Sequence, residues 1–378
     1  MQDGFQERSD LTLSHLPFVA SLAESADPAD RRIWLRVACD HFVLAHRVDP
    51  EAVERFADAV ARQIGTADPA AALDAARRLA PCPRTPVRLL DLLALASPQA
   101  RAFVLRHGAA YRAADLARAI DAGPEHAAAV AERLDLDSKL VAALAARDEV
   151  EVLVALADNA RARLEGAVLT GLLQRARGLA EDTGDRRLAD SLLRRRPLRP
   201  ESAALFLLAD PLQRVEILLA AQRAQLGRPR GAPPAADSRV IDDLELAAVA
   251  RQPKRFVAAL ASALDCDASL AQRIADDPSG EPLAIALAAL GAPGDVLVRV
   301  LIASDLAAGE TYDRVRSVAR LNSALSRNAA IAVMAALRGP QPGRRRTNGP
   351  VEAAAPRETT GARRVQRPAQ SAPLKAVG

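Results

Sequence analysis

The chain has 378 residues, half of them apolar, and a formal net charge of +4. That is enough for a sizeable buried core and for about two or three domains. The charge is unevenly placed: residues 339–378 hold eight basic and two acidic groups, a net of +6, so residues 1–338 stand at −2. A pI near 9.3 therefore describes the tail and does not mark the body as a nucleic-acid binder.

Alanine occurs 85 times against ten aromatic residues. Alanine has the highest helix propensity, whereas strands favour β-branched and aromatic side chains. The composition predicts an all-α protein of closely packed small helices. The charge-free stretch 282–294, as long as any in the chain, is too short to span a bilayer, which needs about 20 apolar residues. The first residues, MQDGFQERSD, carry neither a basic n-region nor an apolar h-region, so no signal peptide is expected. Cys39, Cys82 and Cys266 lie too far apart for a CxxC pair, a disulfide framework or a zinc site. A cytoplasmic location is the default expectation.

Residues 1–15 are polar and expected to fray. From Leu16 to Leu226 the chain reads as a helical-repeat domain. Over Asp30–Arg47 the residues Trp34, Val37, Ala38, His41, Ala45 and Val48 recur at helical spacing and predict one apolar face. Further helices are predicted to start at or near Pro50, Pro69, Pro86, Pro98, Pro124, Asp137 and Asp148. Proline suits a first helical turn, where its missing N–H has no partner to lose. Polar corners recur at Leu79-Ala80-Pro81-Cys82, Leu105-Arg106-His107-Gly108, Val130-Ala131-Glu132-Arg133 and Leu156-Ala157-Asp158-Asn159. Their starts are 26, 25 and 26 residues apart, and later copies begin at Leu193 and Ile274. So small a unit cannot bury its own apolar face, which predicts stacking into a two-layer α-solenoid. Residues 227–237 (GRPRGAPPAAD) read as a linker or loop. Residues 238–338 predict five or six more helices, a C-terminal helical domain. Residues 339–378 lack an apolar period and are expected to be a disordered basic tail.

The string Ile274-Ala-Asp-Asp-Pro-Ser-Gly-Glu-Pro-Leu283 is the most distinctive in the chain. Leu264-Asp-Cys-Asp-Ala-Ser-Leu-Ala precedes it and Ala-Leu-Ala-Ala-Leu-Gly follows. With the corners Ala131–Leu136 and Leu156–Ala162, it resembles the domain of unknown function 2336 family, found mainly in alphaproteobacteria and regarded as HEAT-like. The resemblance covers most of residues 16–338. It implies a HEAT-like helical-repeat fold and supplies no activity.

Candidate chemistry is sparse. His41 sits on the Trp34 face and reads as a core histidine more readily than as a base. His46 lies five positions on, without the i, i+4 geometry of a helical metal site, and is the least unsuitable phosphotransfer candidate. His15, His107 and His126 are isolated. Asp276, Asp277 and Glu281 suit a hard cation. They fit better a helix start capped by Ser279 or Gly280, with Glu281 and Pro282 in the first turn. Arg194, Arg195, Arg196 and Arg199 form the main basic cluster of the body, either a solvated helix end or a phosphate contact. No glycine-rich phosphate loop, GxSxG elbow or HExxH string occurs. The expectation is a protein that is not an enzyme and takes no cofactor or metal. It would bind a protein or peptide on a helical-repeat surface, with Arg133, Asn159, Arg195 and Arg196 along one edge. The alternative is weak nucleic-acid or anionic-surface binding by the tail through Arg344, Arg345, Arg346, Arg363 and Arg364.

Overall fold

The structure, a computed structural model, describes residues 17–45, 48–65, 68–226, 234–303 and 311–339. The tail arginines, His15 and His46 lie outside them, as do residues 227–233 of the expected linker. Among the described residues there are twenty α-helices, one 3-10 helix and no strand. The first twelve are α1 (Pro17–Glu24), α2 (Pro28–Leu44), α3 (Pro50–Ile64), α4 (Pro69–Leu79), α5 (Val87–Ala96), α6 (Pro98–His107), α7 (Ala113–Ala122), α8 (Pro124–Ala131), α9 (Ser138–Ala145), α10 (Val150–Asp158), α11 (Gly166–Asp182) and α12 (Arg187–Arg194). The 3-10 helix Pro200–Leu208 and α13 (Pro211–Gln225) follow. The rest are α14 (Ser238–Val249), α15 (Pro253–Leu264), α16 (Ala268–Asp276), α17 (Glu281–Leu290), α18 (Gly294–Ala303), α19 (Thr311–Ala324) and α20 (Arg327–Arg338).

Local chemistry starts these helices. Asp27-Pro28, Asp49-Pro50, Asp68-Pro69, Ser97-Pro98 and Asp210-Pro211 each place a capping side chain before a first-turn proline. Each cap accepts a hydrogen bond from a first-turn N–H, which satisfies a donor that the helix leaves open. Pro86 differs: it precedes α5 as the flanking residue and gives no side-chain cap.

Helices touch their alternate neighbours. In one series α2, α4, α6, α8, α10 and α12 each contact the next member. In the other, α3 contacts α5, α7 contacts α9, and α9 contacts α11. The corners read from sequence are the C-terminal ends of α4, α6, α8 and α10, so the 26-residue spacing is the step along the first series. Alanines in the contacts, such as Ala76, Ala100, Ala127 and Ala157, are fully buried and let backbones approach closely.

The apolar face of α2 is turned relative to the sequence reading. Trp34, Leu35, Ala38, Cys39 and Phe42 are buried, whereas Val37 is 37% exposed, and the helix ends at Leu44. Phe42 causes the turn. Its ring stacks on Phe56 of α3 with centroids 4.4 Å apart and planes 4° apart, which draws its flank of the helix inward.

Two apolar clusters fill the body. One runs from Trp34 to Val104, the other from Leu105 to Leu337, so they meet within α6. Here Gly108 is required by space: an added Cβ would stand 2.6 Å from both the Tyr111 ring and the Val104 carbonyl.

The larger cluster continues into α14–α20, where alternate-helix packing gives way to a bundle around α17. Pro282–Leu287, Ala289 and Leu290 of α17 are all buried, against α15, α16, α19 and α20. A helix apolar all round belongs in the middle of a core. In turn α20 packs on α13 and the 3-10 helix. Part of the expected linker is held too: Ala236 N–H donates to Leu290 O at 2.9 Å, and Arg327 Nη2 to Pro234 O at 2.8 Å.

Candidate functional site

The last carbonyls of a helix have no partner within it. Along the first series they are closed by a donor from the next repeat. Arg84 donates to Ala45 O at 2.5 Å and to Phe42 O and Val43 O at 3.2 Å. Ala109 N–H donates to Ala80 O at 2.9 Å. Arg133 Nη1 reaches Leu105 O at 2.9 Å and Gly108 O at 3.1 Å. Asn159 Nδ2 reaches Ala131 O at 2.8 Å and Arg133 O at 2.5 Å. Arg195 Nη1 donates to Ala157 O and Asn159 O, both at 2.8 Å, and its Nη2 to Ala162 O at 2.6 Å. In the second series Arg175 does the same for Ala145 O and Arg147 O.

These clamps correct the expected edge of partner contacts. Arg133 and Asn159 are 3% and 8% exposed, with their donors spent on carbonyls. Arg133 also holds Asp135 by two 2.8 Å bonds, and this keeps the Asp135 carboxyl below its ordinary range. Arg195 is half-buried. Burial first, then the neighbouring Arg199, lowers its pKa from the ordinary arginine value. Arg196 donates to Leu193 O at 2.6 Å and pairs with Glu216 at 3.0 Å. Of the four residues expected along one edge, Arg133 and Asn159 face the chain itself, whereas half-buried Arg195 and exposed Arg196 line a cleft.

The corners enclose a cleft of about 900 Å³. It runs along residues 134–138, 160–165 and 195–199, between the ends of α8, α10 and α12 and the starts of α9, α11 and the 3-10 helix. Val141, Leu164, Leu169 and Leu198 give it a buried apolar lining, and Leu134 stands 74% exposed at its edge.

Five arginines and three acidic residues line the cleft, and most have local partners. Asp135 is held by Arg133, Asp137 caps α9 by accepting from Leu140 N–H at 2.8 Å, and Glu165 pairs with Arg199 at 3.0 Å. Arg195 and Arg196 are engaged as above. Arg161 and Arg163 remain. Both are exposed, and their guanidinium groups have no partner among the described residues. Their placement follows from the turn they share. Asn159 Oδ1 accepts from Arg161 N–H at 3.0 Å and turns the chain. Ala162 and Leu164 are buried at 1% and 4% exposure, and Arg161 and Arg163, which alternate with them, are exposed. The starts of α11 and of the 3-10 helix lack side-chain caps and add the positive ends of two peptide dipoles. The unpaired charge of the cleft is positive.

The other sequence candidates resolve into structural roles. Arg214 of α13, 8% exposed, occupies the acidic corner expected to suit a cation or a cap. Its Nη2 meets Asp277 at 2.7 Å, and its Nη1 meets Ser279 Oγ at 2.7 Å and Glu281 at 3.1 Å. Burial would raise the Asp277 pKa, yet the bonds from Arg214 and Ser279 hold it below the ordinary carboxylate range. Gly280, at φ +73°, precedes α17, and Ser279 Oγ accepts from Glu281 N–H at 3.1 Å. Asp276 points elsewhere, to Gln272 at 2.7 Å. Arg194 pairs with Asp158 at 2.8 Å. His41 is half-buried with Nε2 unbonded, and burial is the first cause lowering the pKa of both His107 and His126. Cys39 is buried, which pushes its thiol up to about 12 and leaves no thiolate at neutral pH. Among the described residues no group of His, Cys, Asp and Glu is placed to hold a metal ion, and no helix is long and apolar enough to cross a membrane.

No family model, curated protein or solved structure matches this chain.

Proposed function

We propose that the protein is a non-enzymatic interaction module, a HEAT-like α-solenoid over α2–α12. It holds a protein or peptide segment bearing carboxylates in the cleft beside α10. The alternate-helix contacts support the solenoid reading, and recognition through an extended surface is the usual use of such arrays. One observation carries the functional reading: Arg161 and Arg163 face a cleft in which every acidic side chain is already engaged. A concave site with a low-dielectric lining focuses such charge. The apolar lining asks for aliphatic side chains on the same ligand. A nucleic-acid strand fits less well, because phosphate binding rests on many clustered cations and here two are free.

The test is selection from a random peptide library displayed on phage. The wild type is expected to enrich sequences combining Asp or Glu with Leu or Ile. The Arg161→Glu/Arg163→Glu variant is expected to lose that enrichment. Failure of the wild type to enrich, or identical consensus sequences from both proteins, would refute the reading. The second reading, anionic binding by residues 339–378, rests on their charge of +6. It predicts that removing them abolishes low-salt DNA retention.

A further inference from the structure

A second surface lies on α13, whose Glu216 pairs with Arg196 at the edge of the cleft. This helix is apolar on two opposite faces. Ile217, Leu218, Ala220 and Ala221 are buried, on the side that packs on the 3-10 helix and α20. On the other side Leu212, Val215, Leu219 and the C-cap Leu226, which keeps helical backbone angles, are 78%, 49%, 50% and 79% exposed. Their spacing of three, four and seven places them in one stripe, about 21 Å long at 1.5 Å per residue. A stripe of this spacing packs against another helix.

Charge decides which helix. Glu216 and Arg223 flank the stripe on the same side, one turn before and one turn after Leu219. Arg223 has no side-chain partner among the described residues, and Glu216, paired with Arg196 at 3.0 Å, keeps 40% of its side chain exposed for a second cation. Lay a second α13 antiparallel across the first, with a two-fold axis at Leu219. Leu212 of one copy then lies level with Leu226 of the other, and Glu216 of each lies within one residue of Arg223 of the other. A parallel pairing would set Glu216 against Glu216 and Arg223 against Arg223. The stripe is thus complementary to its own reverse, which is what an isologous two-fold interface requires.

We propose that the protein forms a two-fold dimer through α13, with Leu212, Val215, Leu219 and Leu226 as its apolar seam and reciprocal Glu216–Arg223 pairs at its edge. The dimer would present two copies of the cleft. It does not depend on what the cleft binds.

Light scattering of the full chain over a hundredfold dilution tests this. The wild type is expected at twice its 40.0 kDa mass when concentrated, dissociating on dilution. Leu219→Arg is expected to stay monomeric with an unchanged circular dichroism spectrum. Glu216→Arg and Arg223→Glu are each expected to weaken the dimer about fivefold, while the double variant recovers it. Leu219→Cys, at the axis, is expected to crosslink on mild oxidation far faster than Leu226→Cys. A wild type monomeric throughout, a dimeric Leu219→Arg, a double variant no stronger than the single ones, or equal crosslinking at 219 and 226 would each overturn the proposal.

Discussion

The helices before α13 and those after it close helix ends alike, since Arg327 and Arg338 donate to Ala289 O and Leu264 O, but they are organised differently. In α2–α12 each repeat closes the carbonyls of the repeat before it, through Arg84, Arg133, Asn159 and Arg195. Stability there is distributed along the chain, one corner at a time. In α14–α20 one helix, α17, apolar from Pro282 onward, sits at the centre, and one buried arginine ties its entry to α13. Stability there is concentrated. The difference shows why the cleft lies among the clamped corners. A corner whose backbone is pinned by its neighbour can project two unpaired arginines at little cost to the fold.

The largest effect is expected at the concentrated point. Arg214→Met leaves Asp277 and Glu281 without their cation and should cost about 3–5 kcal/mol, read by urea denaturation. The same network sets an acid limit. Asp277 titrates below its unfolded value, so its contribution is complete above about pH 4 and is lost as pH falls through its lower native value. Arg214→Met should flatten that part of the stability profile. Leu287→Ala empties a site on α17 with no exposed flank and should cost about 2–5 kcal/mol. Its loss of amide protection should extend across α15–α20. A protection loss confined to α17 would break the contrast between the two regions.

Effects in the array should be smaller and local. Asn159→Ala strands two carbonyls and should cost about 1–3 kcal/mol, with faster hydrogen exchange at the ends of α8 and α10 only. Unfolding that spreads through α14–α20 would contradict distributed stability. Arg161→Ala/Arg163→Ala should change stability by less than about 0.5 kcal/mol, because neither side chain has a partner to lose. A larger loss would mean the two arginines serve the fold.

The sequence disclosed what local chemistry controls. Asp-Pro and Ser-Pro pairs cap and start helices within a few residues, so the starts at Pro50, Pro69 and Pro98 were legible. The 26-residue spacing marked one packed series because each corner sits at the same place on its helix. Direction was not legible. Arg133 and Asn159 were located at corners, but whether they turn outward depends on carbonyls 25 to 28 residues earlier. Arg214 and Asp277 are 63 residues apart, and nothing near either names the other. The face of α2 turned because Phe42 found Phe56, a contact between helices. Arg161 and Arg163 stand out only once the partners of the neighbouring charged side chains are known. The alternation Arg161-Ala162-Arg163-Leu164 after Asn159 was the one local signal for them.

The central claim is that these two arginines give the cleft its preference for an acidic, apolar segment. Fluorescence anisotropy with two labelled peptides, one alternating Glu and Leu and one alternating Lys and Leu, tests it most directly. The wild type is predicted to bind the Glu–Leu peptide at low salt and not the Lys–Leu peptide, and Arg161→Glu/Arg163→Glu to lose that binding. Equal binding of the Glu–Leu peptide by both proteins would contradict the account.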